Sequence, residues 1–319
     1  MRCKTVIIMF FLVFLSSFNS RVCAEDTSLR VALLPILDSL PFYFAKQTGI
    51  MKAHGVEAEA LPVASALERD QLMQSGRLDG MLTEMITTAS FNRSSLTIKI
   101  VRNARISYPD YPMFRILATP GSPVRSPTNL KGSPIAISKN TIIEFVTDQL
   151  LLNAGIRKED IVKQSVPVIP ERFQLLMQGR IKAATLPDPL ARSAIEAGAI
   201  EIASDTSYPR CAVSVLAFTN RSVNEKTDAL RRFLAAWDEA AALINRNPES
   251  ARVIMLKNIP FPANIRETFK IPTFPRNGVP DNDQWDDVIK WMLAKGLIDS
   301  PPAYHDSVTD LLFSYDKTR

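Results

Sequence analysis

Four short polar clusters in the 319-residue chain have the residue types to grip a small solute. Asp38, Ser39 and Phe42 form the first, Thr83, Glu84 and Thr87 the second, Ser138, Lys139, Asn140 and Thr141 the third, and Asp188 stands alone as the fourth. Each follows a short apolar run that reads as a strand, and ligands of open α/β sheets sit beyond the carboxyl ends of strands. In residues 138–141 hydroxyls and the first backbone N–H groups of a following helix would face an anion or a carbonyl, with Lys139 adding charge. The same four residues also suit an ordinary helix cap. Glu84 and Asp188 end corresponding strands and would hold ligand N–H or hydroxyl groups from opposite sides; the plainer alternative for each, and for Asp38, is an N-cap or a surface acid. Phe42, Tyr108 and Tyr111 have the rings to stack on a cyclic solute, unless the Tyr-Pro-Asp-Tyr-Pro turn simply packs against its own lobe. These loops carry more acids than bases, which leans toward a nitrogen-bearing or aromatic solute, while Arg102, Arg105 and Arg115 keep an anion in play.

Catalytic and metal chemistry have less to work with. His54 sits beside Gly55 in a loop and His305 in a Pro-rich tail, with no nucleophile suggested as a partner by position. One thiol, Cys211, with two scattered histidines makes no structural zinc set, and a lone buried Cys is usually inert. No cofactor, metal or catalytic residue is expected.

The elements that must position these clusters follow a strand, helix, strand rhythm, the pattern of a parallel sheet covered by helices. Strands are predicted at 29–34, 56–61, 80–83, 97–102, 135–137, 183–186 and 213–219, and helices at 40–48, 67–75 and 141–154, each ended by a glycine. A turn-rich stretch at 120–134 separates two cycles of this pattern. The two cycles echo each other: Glu68, Arg69, Gln71, Leu72, Gly76, Arg77 and Leu78 return 103 positions later as Glu171, Arg172, Gln174, Leu175, Gly179, Arg180 and Ile181. Two similar α/β lobes explain this economically. The chain then turns helical: Ser222 and Glu225 have capping-box spacing, Leu230, Phe233, Leu234, Trp237, Ala241 and Ile244 trace one face, and Asn247, Pro248 and Glu249 start a second helix. Asp281 is expected to cap a third, with Trp285, Val288, Ile289 and Met292 on one face and Gly296 at its end. This tail exceeds what the second lobe needs and is expected to return to the first, so the chain crosses twice, near Ala118 and Thr219, which makes a hinge.

At the amino terminus Arg2 and Lys4, an apolar run at 6–15 and the small-residue end Val22, Cys23, Ala24 are laid out as a secretory signal, with cleavage expected after Ala24. A membrane anchor is the rival, but a span needs about 20 apolar residues and this run breaks at Ser16 and Ser17. Lipidation at Cys23 is disfavoured by Arg21 and Val22. Removing Arg2, Lys4 and Arg21 lowers the basic count from 38 to 35 against 33 acids, a net charge near +2, so nucleic acid is excluded as a partner. Cleavage also removes Cys3 and Cys23, leaving Cys211 and no internal disulfide. The remaining chain exceeds the usual single-core size, and the expected division is 1–24 signal, 25–118 plus 220–319 as the first lobe, and 119–219 as the second.

The opening at 29–35, residues 41–49 running into 51–56, the strand exit at 80–84, Asn129 to Gly132 before Ile135, and the stretch 186–191 resemble the periplasmic solute-binding proteins of the nitrate, sulfonate, taurine and thiamine-precursor ABC importers. The resemblance covers nearly all of the chain beyond the signal, and it specifies family better than ligand. It implies a type II periplasmic-binding fold of two α/β lobes joined by a two-crossing hinge, a small-molecule solute in the cleft between them, closure on binding, and docking onto the membrane subunits of an ABC permease. A monomer in the periplasm is the expected form. The rivals are an enzyme of thiamine-pyrimidine or menaquinone type on a related fold, which fits poorly with an export signal, and a sensory receptor domain, which would need an adjoining membrane or signalling segment.

Overall fold

A computed structural model describes residues 28–310; the signal and its cleavage site lie outside the described residues. Among the described residues ten strands occur in chain order: β1 (Ser28–Leu33), β2 (Glu57–Pro62), β3 (Gly80–Thr83), β4 (Ile98–Ile106), β5 (Phe114–Ala118), β6 (Ile135–Ile137), β7 (Lys163–Ser165), β8 (Ala183–Pro187), β9 (Ile200–Ser204) and β10 (Val213–Thr219). The α-helices in the first half are α1 (Leu40–Gln47), α2 (Ile50–Ala53), α3 (Ala66–Gln74), α4 (Met85–Asn92), α5 (Ile142–Asn153) and α6 (Ile169–Met177). Those in the second half are α7 (Leu190–Glu196), α8 (Asn220–Glu225), α9 (Thr227–Arg246), α10 (Arg252–Asn258), α11 (Asn282–Ala294) and α12 (Tyr304–Ser307). Two five-stranded sheets result, ordered β2-β1-β3-β10-β4 and β7-β6-β8-β5-β9. In each, three parallel strands are followed by one antiparallel strand, β10 or β5, which is flanked on its far side by an edge strand.

The echo in the sequence is a repeat in space. Helices α3 and α6 both end at a glycine in the left-handed region, Gly76 at φ 70° and Gly179 at φ 68°, where a Cβ would be strained. The next amide turns back on the helix in each copy, Arg77 N–H donating to Leu72 O and Arg180 N–H to Leu175 O. The fully buried arginines Arg69 and Arg172 then donate to the carbonyls of Leu82 and Thr185, equivalent positions of β3 and β8.

The chain changes sheets one strand earlier than the sequence suggests. Strand β5, up to Ala118, belongs to the second sheet and β10, up to Thr219, to the first, so the crossings run through 107–113 and 205–212. Both strands are short and mainly apolar, and nothing in such a run reveals which sheet it completes. The cap near Ser222 also differs: the Thr219 hydroxyl accepts from Ser222 N–H, α8 stays short, and α9 begins afresh at Thr227. The other two starts stand, Pro248 opening a short 3-10 turn before α10 and Asp281 forming a capping box with Gln284 at α11.

Helix α9 buries Leu230, Phe233, Leu234, Trp237, Ala241 and Ile244 beside α1, which carries the chain back onto the first sheet. A second apolar cluster runs through both lobes, joining Met85 and Ile86 of α4 to Phe145 of α5 and to Trp285 and Val288 of α11. No helix among the described residues is long and apolar enough to cross a membrane.

Candidate functional site

Helices α4 and α5 start from corresponding strands of the two sheets, and their first turns face each other across the seam between the lobes. On the α4 side Glu84 is the N-cap residue, but its buried carboxylate does not cap. Its Oε2 accepts from Arg69 Nη1 at 3.3 Å and its Oε1 from the Thr87 hydroxyl at 2.8 Å, while Arg69 Nη2 reaches Thr87 Oγ1 at 2.9 Å. Thr83 Oγ1 lies 3.4 Å from the same carboxylate. The second cluster therefore comes together as one network around Arg69.

The other two acids are held in the same way. Asp38 accepts from Arg105 at 3.3 Å, and Arg105 also donates to Pro112 O at 3.2 Å. Asp188 is paired with Arg115, which also reaches Glu201 at 3.1 Å, and Asp188 accepts from Arg192 N–H in the first turn of α7 at 3.2 Å. Burial raises the Asp188 pKa, against the pull of Arg115 and Arg105. Each acid of the sequence-predicted site thus has its own buried arginine, and the acid excess read from the loops is cancelled. The partners lie 15, 67 and 73 positions away in sequence, which no local pattern reveals.

On the α5 side the capping reading of residues 138–141 holds. The Thr141 hydroxyl accepts from Ile143 N–H and donates to Ser138 O. Asn140 takes a positive φ of 59°, and its N–H, which would have faced an anion, donates to Glu144 Oε2 at 2.7 Å. Burial opposes ionisation of Glu144, yet the Asn140 N–H, Lys163 and Lys295 together hold it below the usual carboxylate range. Lys139 and Asn140 are exposed. Buried Ser138 donates to Pro167 O and accepts from Arg172 Nη1, both at 3.0 Å. Arg172 is the counterpart of Arg69 but has no carboxylate partner; its Nη2 is buried without a hydrogen bond among the described residues, and burial pushes its pKa down to about 10.

Ser39 and Phe42 are turned away from the seam. The Ser39 hydroxyl donates to Ile36 O, and the fully buried Phe42 ring packs 6.1 Å from Phe233 of α9 in the core of the first lobe. Phe42 lies in the first turn of α1, on the face that packs against α9. Tyr108 and Tyr111 exchange backbone hydrogen bonds across a tight turn within the first crossing, and burial raises the Tyr108 pKa. Between the lips the seam is apolar, with Met85 and Ile86 against Ile142 and Phe145, and the gap left there is too small for a water molecule.

A residue that no sequence pattern singles out ties the two crossings together. Asp205, fully buried in the second crossing, accepts from Ser107 Oγ at 2.9 Å and from the backbone N–H groups of Met113 and Phe114 at 2.9 and 2.8 Å, all in or beside the first crossing. Ser107 N–H donates in turn to Ala212 O. Burial raises the Asp205 pKa to about 6 in spite of these bonds. In the sequence it stands in Ser-Asp-Thr-Ser, which reads as a turn.

A family model described as NMT1/THI5 like matches residues 37–251, more than half of the chain. No curated protein sequence gives a significant match. Among solved structures, the ligand-binding component of an ABC-type import system from Staphylococcus aureus, with zinc bound, superposes with a TM-score of 0.76 at 15% identity, over 90% of this chain and 98% of that one. The alkanesulfonate-binding protein SsuA from Xanthomonas axonopodis pv. citri, bound to MOPS, gives 0.73 at 15% identity, over 90% and 99%. The desulfurization enzyme DSZB gives 0.65 at 13% identity, over 89% and 97%. At these identities the likeness shows the fold, that of the periplasmic binding proteins.

Proposed function

The chain belongs to the NMT1/THI5-like family, and we propose that it is an extracytoplasmic receptor that captures a small organic solute between its lobes and hands it to an ABC importer. The observation that carries this reading is the pair of adjacent crossings tied through Asp205: two lobes of the same strand order, joined by two short bonded segments, are built to rotate about a hinge. Solute entering between α4 and α5 would separate Met85 and Ile86 from Ile142 and Phe145, and closure would follow from its higher affinity for the closed form. Glu84 lines that seam, and the reading assigns Thr83, Thr87, Ser138, Lys139, Asn140, Thr141 and Asp188 to the same path, with Asp38 and Tyr108 toward the hinge.

The solute class follows from charge and lining. Asp38, Glu84 and Asp188 are already paired with arginines, whereas Arg172 behind Ser138 has no acid, so the seam favours an anionic head over an amine. The apolar side chains between the lips favour a carbon body beside that head. An organic acid, with the sulfonates bound by structural neighbours as one instance, fits both. The signal at 1–24 would deliver the protein to the periplasm as a monomer that meets the permease membrane subunits.

An enzyme on the same fold is the second reading, and DSZB favours it. Cys211 counts against a thiol nucleophile, because burial pushes its pKa up and holds the thiol protonated. Native mass spectrometry of the protein purified from an exporting cell separates these readings. A single bound organic anion, released unchanged on unfolding, is expected. A bound species converted during incubation supports the enzyme, and failure to bind any of a panel of alkyl and aryl sulfonates and carboxylates overturns the receptor reading.

A further inference from the structure

A cavity of about 470 Å³ opens at the other end of the lobe seam, where α5 of the second lobe runs beside α11, the helix packed on α4 of the first. That volume lies within the roughly 300–1,000 Å³ of small-ligand sites. Leu152, Ile161, Trp291 and Ala294 line it with carbon, and Leu152 stands 41% exposed there, high for a large apolar side chain. Four lysines converge on it, Lys158 and Lys163 from the second lobe and Lys290 and Lys295 from α11.

The acids at this place are already engaged. Asp148 accepts from Lys163 at 2.7 Å and from Trp291 Nε1 at 2.8 Å, and Asp287 pairs with Arg210 at 3.0 Å. Lys163 and Lys295 both reach Glu144, and Lys295 also lies 4.6 Å from the Trp291 ring centre. Lys158 and Lys290 are left, one on each side of the seam, with no ion-pair partner among the described residues. Lys158 and Lys290 both line this apolar floor, and an anion with a flat carbon body would meet their charges and cover the floor at once.

We propose that this groove is a second binding site, separate from the solute path between the α4 and α5 first turns, for a small aromatic carboxylate or sulfonate that bridges Lys158 and Lys290. Because its walls come from both lobes, an occupant favours the lobe arrangement in which they meet, and binding there is coupled to closure.

The probe is 2-naphthoate, titrated into the ¹⁵N-labelled protein while the indole N–H resonances are followed, that of Trp291 being assigned with Trp291→Phe. A saturable shift at Trp291, with the Trp237 resonance in the first-lobe core unmoved, is expected. In the exposed-surface double variant K158E/K290E the affinity should fall by about tenfold, the loss expected when two partly exposed charge contacts become repulsive. The neutral 2-naphthamide should bind correspondingly weakly. An absent or non-saturable Trp291 shift, equal affinity in the double variant, or equal binding of the amide would each overturn the proposal. Neither lysine borders the solute path, so a shift caused by 2-naphthoate bound between the lips would survive in K158E/K290E and counts as a refutation.

Discussion

Asp205 makes the stability of the hinge depend on pH, with a sign fixed by its burial. In the unfolded chain its carboxyl titrates near 3.8 and in the fold at about 6. The folded chain therefore holds this proton more tightly between those values, so the group's contribution is fully present below pH 3.8 and is lost as pH rises through 6. At about 1.36 kcal/mol per unit, the loss by pH 7 is about 3 kcal/mol. Asp205→Asn isolates the effect. Its amide oxygen can accept from the Met113 and Phe114 N–H groups, and its NH₂ can donate to a Ser107 hydroxyl turned to accept, so the clasp survives without a titrating group. Urea unfolding of both proteins at pH 4, 5, 6 and 7 gives a difference curve in which the other groups cancel. The parent minus variant stability should fall by about 2.4 kcal/mol from pH 4 to pH 7, the rest of the loss lying below pH 4. Parallel curves for the two proteins would refute the reasoning. Asp205→Ala should instead be less stable throughout, by about 1–3 kcal/mol for each buried donor left unsatisfied.

Three other outcomes follow from single contacts. Native protein lacking residues 1–24 should show no Cys211 reaction with Ellman's reagent at pH 7.5 and one full equivalent in urea, since the thiol is buried and its pKa raised; fast native labelling would contradict this. In Gly80→Ala a Cβ would stand 2.4 Å from the Phe218 ring, itself packed on Phe233, and such overpacking should cost about 1–3 kcal/mol in urea unfolding; an unchanged midpoint would mean that the ring moves freely. Trp291→Phe keeps the ring beside Phe145 but removes the buried bond to Asp148, so stability should drop by about 1.5–3 kcal/mol. Small-angle scattering should show the variant more extended if that bond also holds the lobes together.

Much of the fold was legible because its boundaries are set by local chemistry. Glycines at helix ends, the Asp281 capping box and the α9 stripe each act within a few residues, and the repeated Glu-Arg-x-Gln-Leu pattern marks a duplication in the sequence itself. What stayed hidden depends on partners far away in the chain. The carboxylates at Asp38, Glu84 and Asp188 are visible as strand-exit acids, but the arginines that neutralise them are on other elements, so the acid excess of the loops does not survive folding. Phe42 looked available because the sequence shows its helix but not the α9 face that covers it. Glu144 at the α5 first turn was invisible as a competitor for an anion, since its reach back to Asn140 N–H requires the positive φ that Asn140 adopts.

The duplication also explains why the hinge has two crossings rather than one. The second sheet draws all five strands from one continuous stretch, and its antiparallel strand β5 comes first in that stretch. The first sheet has the same spatial order, yet its antiparallel strand β10 arrives only after the chain has returned from the second lobe. Until then β4 lacks the partner that joins it to β3, because β10 lies between them. The first lobe is thus complete only when the second crossing has been made. The two crossings end up side by side, and Asp205 on one can bond the backbone of the other. A single tether would leave the lobes free to swivel; a bonded pair restricts their relative motion, as the proposed receptor reading requires.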